Sequence, residues 1–167
     1  KKKDADMYEA QINKAELLNE QQVMEFKMLA SQINPHFLYN TLETIRMKAF
    51  KANDREVARA IKLLGKSMRY VLENTGTSFT TLSKELEHIK VYLDIQKLRF
   101  TDKFDSEIEV MEDIDPGKLL ILPLLLQPVV ENAILHGLEE KEKGGLIHIL
   151  VRKQLGEEEL LCIEVSD

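Results

Sequence analysis

QINPHFLYNTLETI, residues 32–45, is the stretch that decides the fold. Pro35 interrupts a helical pattern here, because a proline inside a helix removes one backbone hydrogen bond and bends the axis. The pattern then resumes with an apolar face formed by Leu38, Leu42, Ile45 and Ala49. At about 100° per residue, His36 lies roughly 160° from Leu38, and Asn40 follows one turn on along the same side. The stretch therefore predicts an amphipathic helix with a solvent-facing imidazole, which is a competent nucleophile near neutral pH.

The residues before this stretch form a long helical pattern. Residues 4–32 contain no Gly or Pro and are rich in strong helix formers. Eight residues recur at alternating four- and three-residue steps: Tyr8, Ile12, Ala15, Asn19, Gln22, Phe26, Leu29 and Ile33. This heptad spacing favours a parallel coiled coil between two chains, with Asn19 and Gln22 as polar seam positions. The alternative is one amphipathic helix on a globular core.

A second helix is predicted after a short turn at residues 51–53. Its apolar face is formed by Val57, Ile61, Leu64, Met68 and Leu72. Asn53 followed by Glu56 resembles a capping box, with Asn53 as the cap. Two amphipathic helices with a short turn make a helical hairpin, and a lone hairpin leaves apolar faces uncovered. The pairing of two hairpins from two chains predicts a dimeric four-helix bundle.

The second half of the chain changes in character between residues 76 and 100. Residues 82–99 predict a third helix, and residues 124–136 predict a fourth that Gly137 stops. Strands are predicted where apolar and polar residues alternate, at 107–110, 147–151 and 161–165, and the last two form a β-hairpin around Gly156. The predicted fold class is therefore α followed by α/β.

The composition excludes several classes of protein. Hydrophobic residues make up 44% of the 167 residues, so the chain has enough apolar surface for a core. The formal net charge is -6 and the basic residues form no single stripe, which argues against nucleic acid as a partner. Cys162 is the single cysteine, so no intrachain disulfide forms. No stretch reaches the roughly 20 apolar residues that cross a bilayer. Because the chain opens without an initiator Met, we expect it to be the cytoplasmic part of a longer protein.

Four segments together resemble the LytS/YesM-like sensor histidine kinases. Residues 32–45 closely resemble the family's phosphoacceptor box, in which the His after the Pro accepts phosphate. Residues 82–100, LSKELEHIKVYLDIQKLRF, resemble the segment that joins its helical bundle to its ATPase domain. Residues 127–137, QPVVENAILHG, resemble its N-box, and residues 163–167, IEVSD, resemble the strand that leads into its first glycine box. The resemblance runs from near residue 25 to the end of the chain.

The resemblance implies four regions. Residues 1–31 would be a signalling coiled coil, and residues 32–75 the dimerisation and histidine-phosphotransfer hairpin. Residues 76–103 would be a connecting helix, and residues 104–167 the N-terminal, incomplete part of an α/β-sandwich ATP-binding domain. The glycine boxes and the mobile lid that close over the phosphates in the family are not in this sequence. We therefore expect the chain alone to bind ATP very weakly and to be inactive as a kinase.

The function implied by the resemblance is that of an enzyme, a protein-histidine kinase in a two-component system. It would use ATP and Mg²⁺ to phosphorylate its own His36 and pass the phosphate to an aspartate of a response regulator. The expected partners are a second copy of the chain, forming a homodimer, and the response regulator. Membrane contact is expected only through a segment outside this chain, which would then be the cytoplasmic portion of a bacterial inner-membrane protein. The alternative is a non-catalytic dimeric signalling connector with a degenerate ATPase-like half.

Helical geometry gives the N-box its own interpretation. With Asn132 as origin, His136 lies about 40° away and one turn along, whereas Val130 and Ile134 lie on the far side. By itself this pattern fits a helix end with two solvated polar residues. The resemblance implies that this polar pair faces the nucleotide, with the Asn132 amide oxygen on the Mg²⁺ that bridges the ATP phosphates. Glu131, on another side of the helix, is either a structural surface residue or a group that assists at the nucleotide.

The remaining candidates are weaker. Asp167 resembles the carboxylate that accepts a hydrogen bond from the adenine amino group. Many histidine kinases carry an acidic residue directly after the phosphoacceptor, where it acts as a base, but Phe37 stands here. Glu43 lies on the same side as the phosphoacceptor but about 10 Å along the axis, too far for direct proton transfer, so the base is unassigned. His88 and His148 are expected to be ordinary surface or packing residues, and no Cys/His spacing suggests zinc.

Overall fold

The computed structural model describes residues 34–100, 104–139, 145–154 and 160–166. Along the chain these residues form α1 (Pro35–Lys51), α2 (Arg55–Asn74), β1 (Thr80–Thr81), α3 (Leu82–Arg99), β2 (Phe104–Val110), β3 (Leu120–Ile121), α4 (Gln127–Glu139), β4 (Gly145–Gln154) and β5 (Leu160–Ser166). The predicted order of helices followed by mixed helices and strands is confirmed. The predicted coiled coil over residues 1–31 lies outside the described residues.

Helix α1 begins at Pro35 rather than passing through it. The Asn34 side-chain oxygen accepts a hydrogen bond from the backbone N–H of Phe37 at 3.2 Å and caps the helix. A proline is favourable in the first turn, because the N–H that it lacks would have no partner there in any case. The predicted break at Pro35 is confirmed as a helix start, and the helical pattern predicted before it lies outside the described residues.

The turn between α1 and α2 has a different cap from the predicted one. The Asp54 carboxylate, not the Asn53 side chain, accepts a hydrogen bond from the N–H of Val57 at 3.0 Å. Asn53 has a φ of 59°, in the left-handed region that Asn tolerates better than most residues. Because Asn53 forms the left-handed turn, the next residue, Asp54, occupies the N-cap position of α2.

Helices α1 and α2 pack against each other as the predicted hairpin. Gly65 of α2 faces Leu42 of α1, and a Cβ at Gly65 would lie 3.9 Å from the Leu42 side chain, an ordinary contact distance. Several residues of the predicted apolar faces nevertheless stay well exposed in the single chain: Ile45 46%, Val57 43% and Leu64 45%. The hairpin alone therefore leaves apolar surface uncovered.

The strands form two small sheets. In the larger one β4 is central, with β2 parallel on one side and β5 antiparallel on the other. The predicted β-hairpin is confirmed, since Val151 of β4 pairs with Ile163 of β5. Its predicted turn at residues 156–157 lies outside the described residues. In the smaller sheet β1 and β3 pair antiparallel over two residues each, directly before α3 and before the loop that leads to α4.

Helices α3 and α4 pack on the larger sheet and share one core with it. The residues of this core that are less than 4% exposed are Leu82, Ile89, Leu93, Val130, Ile134, Ile147, Ile149 and Val151. Helix α3 also contacts α2, so it lies between the hairpin and the sheet. Its observed bounds coincide with the predicted residues 82–99.

Helix α4 is displaced from its predicted position. It begins at Gln127 instead of residue 124, because Leu124 has a φ of 61° and is not helical. It also continues past Gly137 to Glu139, since a glycine in a helix costs only about 1 kcal/mol relative to alanine and need not end it. Among the described residues, no helix is both long enough and apolar enough to span a bilayer.

Candidate functional site

His36 lies in the first turn of α1 with its side chain exposed. The side-chain nitrogen of Asn40, one turn on, lies 3.3 Å from both Nδ1 and Nε2 of the imidazole. In a neutral imidazole only one ring nitrogen accepts a hydrogen bond, so the Asn40 amide has one acceptor at a time. The arrangement holds the imidazole at the surface beside the Asn40 amide.

Glu43, the acidic residue on the same side of α1 as His36, is bonded to Arg46. Its carboxylate accepts a hydrogen bond from Arg46 Nε at 2.8 Å, and this bond holds the pKa of Glu43 below its usual value. Phe37, directly after His36, is 65% exposed and carries no base. Neither residue is therefore placed to take a proton from His36.

The N-box helix α4 has the two-sided character that its spacing predicts. Val130 is 0% and Ile134 3% exposed, and both belong to the core. Asn132 and His136 are exposed. The core thus fixes the rotation of the helix and leaves this polar pair facing solvent.

The donor set at α4 fits a magnesium ion that arrives with a nucleotide. Mg²⁺ takes one or two protein ligands and keeps waters and phosphate oxygens, and Asn132 offers one neutral amide oxygen from an exposed position. Within the described ranges, no group of three or more His, Cys, Asp or Glu side chains is arranged to hold a metal ion. A protein-built metal cage is therefore not found in that part of the chain.

Glu131 is half-buried and held in place, unlike a freely solvated surface residue. Its Oε1 accepts a hydrogen bond from Gln127 Nε2 at 2.8 Å. Burial raises the pKa of Tyr92, and the negative charge of nearby Glu131 raises it further. The Glu131 carboxylate is thus oriented by its own helix and faces α3.

A cluster of polar side chains beside α4 was missed by the sequence analysis. Glu85 and His88 of α3 are buried, and Tyr70 of α2 contacts both of them. Burial raises the pKa of Tyr70, and its hydrogen bond to the Glu85 carboxylate raises it further. The available signal was Glu85 itself, which lies at helical spacing between Leu82 and Ile89 on an otherwise apolar face. His88 is a packing residue, as expected, and also bonds to Gln127.

The predicted site residues fall in two places. His36 lies on the hairpin, whereas Asn132, His136 and Glu131 lie on α4, and no hydrogen bond or ion pair among the described residues joins the two groups. Asp167 lies outside the described residues. His148 lies on β4 and its imidazole is 3.4 Å from the Glu109 carboxylate, away from both groups.

Comparisons with known proteins place these features in a family. The family model described as "Histidine kinase" matches residues 24–104, which include His36 and helices α1 to α3. The protein YwpD of Bacillus subtilis (strain 168) is 35% identical over 146 residues, which cover 84% of this chain and 50% of YwpD.

Two relatives carry names that state an activity or role. "Sensor histidine kinase YesM" of Bacillus subtilis (strain 168) is 33% identical over 143 residues, covering 86% of this chain and 24% of that protein. "Sensor protein LytS" of Oceanobacillus iheyensis is 39% identical over 133 residues, covering 77% of this chain and 22% of that protein. The chain spans half the length of YwpD and less than a quarter of the length of YesM and LytS.

Proposed function

The chain belongs to the LytS/YesM-like family of sensor histidine kinases, and on this premise we propose that it forms part of an ATP-dependent protein-histidine kinase. His36 accepts the γ-phosphate of ATP and then passes it to an aspartate of a response regulator. One observation carries the proposal: His36 is exposed on α1 beside Asn40, within the segment that the histidine kinase model matches.

The proposed first step is an in-line displacement at the γ-phosphorus. The lone pair of the unprotonated ring nitrogen of His36 forms the N–P bond while the P–O bond to ADP breaks. Asn40 orients the imidazole before the reaction and releases the attacking nitrogen as the N–P bond forms, and the proton on the other ring nitrogen passes to water once phosphate is attached. When bound with the nucleotide, magnesium offsets the charge on the phosphate oxygens. In the second step an aspartate oxygen of the regulator attacks the same phosphorus, the N–P bond breaks, and the imidazole takes up a proton from water as it leaves.

The nucleotide half of the site is assigned to the exposed side of α4. Asn132 would hold the nucleotide's magnesium through its amide oxygen, and His136 lies one turn on along the same side. Glu131, held by Gln127, stands beside them. Asp167 is proposed to bind the adenine amino group, on the resemblance of the IEVSD segment alone.

The proposed assembly is a homodimer. The exposed apolar side chains of the hairpin, Ile45, Val57 and Leu64 among them, suit a partner hairpin that completes a four-helix bundle. Residues 1–31 would continue this pairing as a coiled coil. The membrane attachment of the parent protein is assigned to a segment outside this chain, and the chain itself to the cytoplasmic side. Because YesM is named a sensor histidine kinase and LytS a sensor protein, a non-catalytic connector is not favoured.

The experiment that tests this function uses the full-length parent protein with labelled ATP and Mg²⁺. The unchanged protein should acquire a label that acid removes, and His36→Gln should acquire none. His148→Gln is the matched control, because this second imidazole lies on β4, away from the hairpin. Labelling of His36→Gln at the rate of the unchanged protein would show that another residue accepts phosphate.

A further inference from the structure

Tyr70, near the end of α2, is the side chain of the hairpin that reaches two buried polar groups of α3. Its hydroxyl donates a hydrogen bond to the Glu85 carboxylate. Its ring stacks on the His88 imidazole, with 4.3 Å between the ring centroids and 14° between the planes. Glu85 is 0% and His88 3% exposed, so both contacts are shielded from water. One residue of the hairpin therefore contacts two groups inside the α/β part of the chain.

Two paths of contacts lead from Tyr70 to α4, and the first runs through Glu85 to the backbone just before α4. Glu85 Oε2 accepts a hydrogen bond from the N–H of Leu124 at 3.0 Å, and Oε1 accepts one from the N–H of Leu126 at 3.1 Å. Leu124 has a φ of 61°, a conformation that a branched side chain seldom adopts and that persists where surrounding contacts enforce it. The buried carboxylate therefore holds the backbone of residues 124–126, directly before α4 begins at Gln127. With the Tyr70 hydroxyl as third donor, both oxygens of the carboxylate accept hydrogen bonds.

The second path runs from His88 to Glu131. His88 Nε2 lies 2.8 Å from Gln127 Oε1, and Gln127 Nε2 lies 2.8 Å from Glu131 Oε1. A carboxylate only accepts, so Gln127 donates to it through nitrogen and accepts from His88 through oxygen. His88 therefore donates through Nε2, and its Nδ1 is buried without a partner in the described part of the chain. The hydrogen bonds thus all donate in one direction, from His88 to Gln127 to Glu131, and they fix the position of the Glu131 carboxylate.

We propose that Tyr70 is a positioning residue, which holds the start of α4 and the Glu131 carboxylate in a fixed relation to the hairpin that carries His36. Both paths end in the first turns of α4, where Glu131 and Asn132 lie. Tyr70 contacts neither phosphate donor nor acceptor and acts through Glu85 and His88. This inference rests on the proposed function, because positioning has meaning only if α4 and His36 serve one reaction.

The test uses the full-length parent protein and Tyr70→Phe, which removes the hydroxyl and keeps the ring that stacks on His88. The rate of His36 labelling is measured over a range of MgATP concentrations. Because small misplacement of reacting groups slows chemistry more than it weakens binding, kcat should fall about tenfold while KM for ATP changes less than about twofold. Tyr39→Phe is the control, because Tyr39 lies on α1 and packs against Arg69 instead of α3. It should keep the kcat of the unchanged protein.

A double-variant cycle separates positioning from general loss of stability. Glu85→Gln places an NH₂ group against the backbone N–H donors of Leu124 and Leu126, so it breaks the path that runs through Glu85. In the Glu85→Gln protein, Tyr70→Phe should therefore lower kcat by less than about a further twofold. If Glu85→Gln fails to fold, the exchange rates of the Leu124 and Leu126 amide protons in Tyr70→Phe decide instead. Additive effects, or a Tyr70→Phe protein with unchanged kcat, would overturn the proposal.

A second readout does not depend on catalysis. In Tyr70→Phe the amide protons of Leu124 and Leu126 should exchange with deuterium about fivefold faster, because the carboxylate that binds them has lost one anchor. If the unchanged protein never labels His36, the proposed function fails while this exchange result still reports on the Tyr70 contacts. If labelling is normal and neither kcat nor exchange changes in Tyr70→Phe, the positioning role fails by itself.

Discussion

The rotation of α4 is tested by two neighbouring valines. Val130 is 0% exposed and Val129 is 49% exposed, so the same change to alanine probes a buried and an exposed position in one helix turn. The contrast matters for function, because the core contact of Val130 is what turns Asn132 towards solvent. The two variants are Val130→Ala and Val129→Ala.

The expected free energies of unfolding follow from burial. Val130→Ala removes two buried methyl groups, a loss of about 1.6 kcal/mol at about 0.8 kcal/mol each, and the cavity left in the core adds up to about 1 kcal/mol. Val129→Ala loses roughly half of the transfer contribution and leaves no cavity, so about 0.8 kcal/mol is expected. Both gain about 0.5 kcal/mol from the higher helix propensity of alanine. Val130→Ala should therefore be about 1 to 2 kcal/mol less stable than Val129→Ala, a difference from which helix propensity cancels.

The assay is urea unfolding of the 167-residue chain followed by circular dichroism. The midpoint should fall for Val130→Ala with an unchanged dependence on urea, because the area exposed on unfolding is nearly the same. Equal midpoints, or a lower one for Val129→Ala, would mean that α4 is rotated from the position described. Asn132 would then not face solvent, and its assignment to the nucleotide's magnesium would be refuted.

Three further predictions concern the site and the assembly. Asn132→Ala in the full-length protein should abolish magnesium-dependent labelling, yet its His36 should still accept phosphate from an unchanged partner chain if transfer runs between protomers; undiminished labelling of Asn132→Ala alone would contradict the role. At high micromolar concentration, light scattering should give the mass of a dimer, and Leu64→Glu should lower it by placing a charge on the uncovered face; a monomer for the unchanged chain would refute the pairing. Calorimetry of the 167-residue chain with ATP and Mg²⁺ should show very weak binding, because the family's glycine-rich phosphate-closing segments are not in its sequence; tight binding would show that the N-box assignment is wrong.

Local patterns predict the helices that a continuous apolar face defines. The bounds of α3 agree with the helix predicted for residues 82–99, and the predicted helical positions of α4 place Val130 inside and Asn132 outside, as the structure has them. The alternation at residues 147–151 and 161–165 gives the β4–β5 hairpin. In each case the signal lies within a few residues of the feature that it predicts.

Features set by distant contacts do not show in such patterns. The start of α4 depends on Leu124, whose left-handed backbone is held by Glu85, a residue 39 positions earlier in the chain. The parallel pairing of β2 with β4 joins Ile108 to Ile149 and has no local marker. The cap at Asp54 depends on the conformation of Asn53, and both residues are good caps in sequence terms. Glu85 on an apolar face signalled a buried polar group, but its three donors come from elements that only the fold brings together.

The most direct test of the central claim is to locate the phosphate. Tryptic digestion after incubation of the full-length protein with ATP and Mg²⁺ should yield the peptide of residues 28–46, which follows Lys27, ends at Arg46 and contains a single histidine, His36. Mass spectrometry at neutral pH should find one phosphate group on this peptide, on the imidazole, and brief acid treatment should remove it. A phosphate on any peptide that carries another histidine, with residues 28–46 unmodified, would contradict the account.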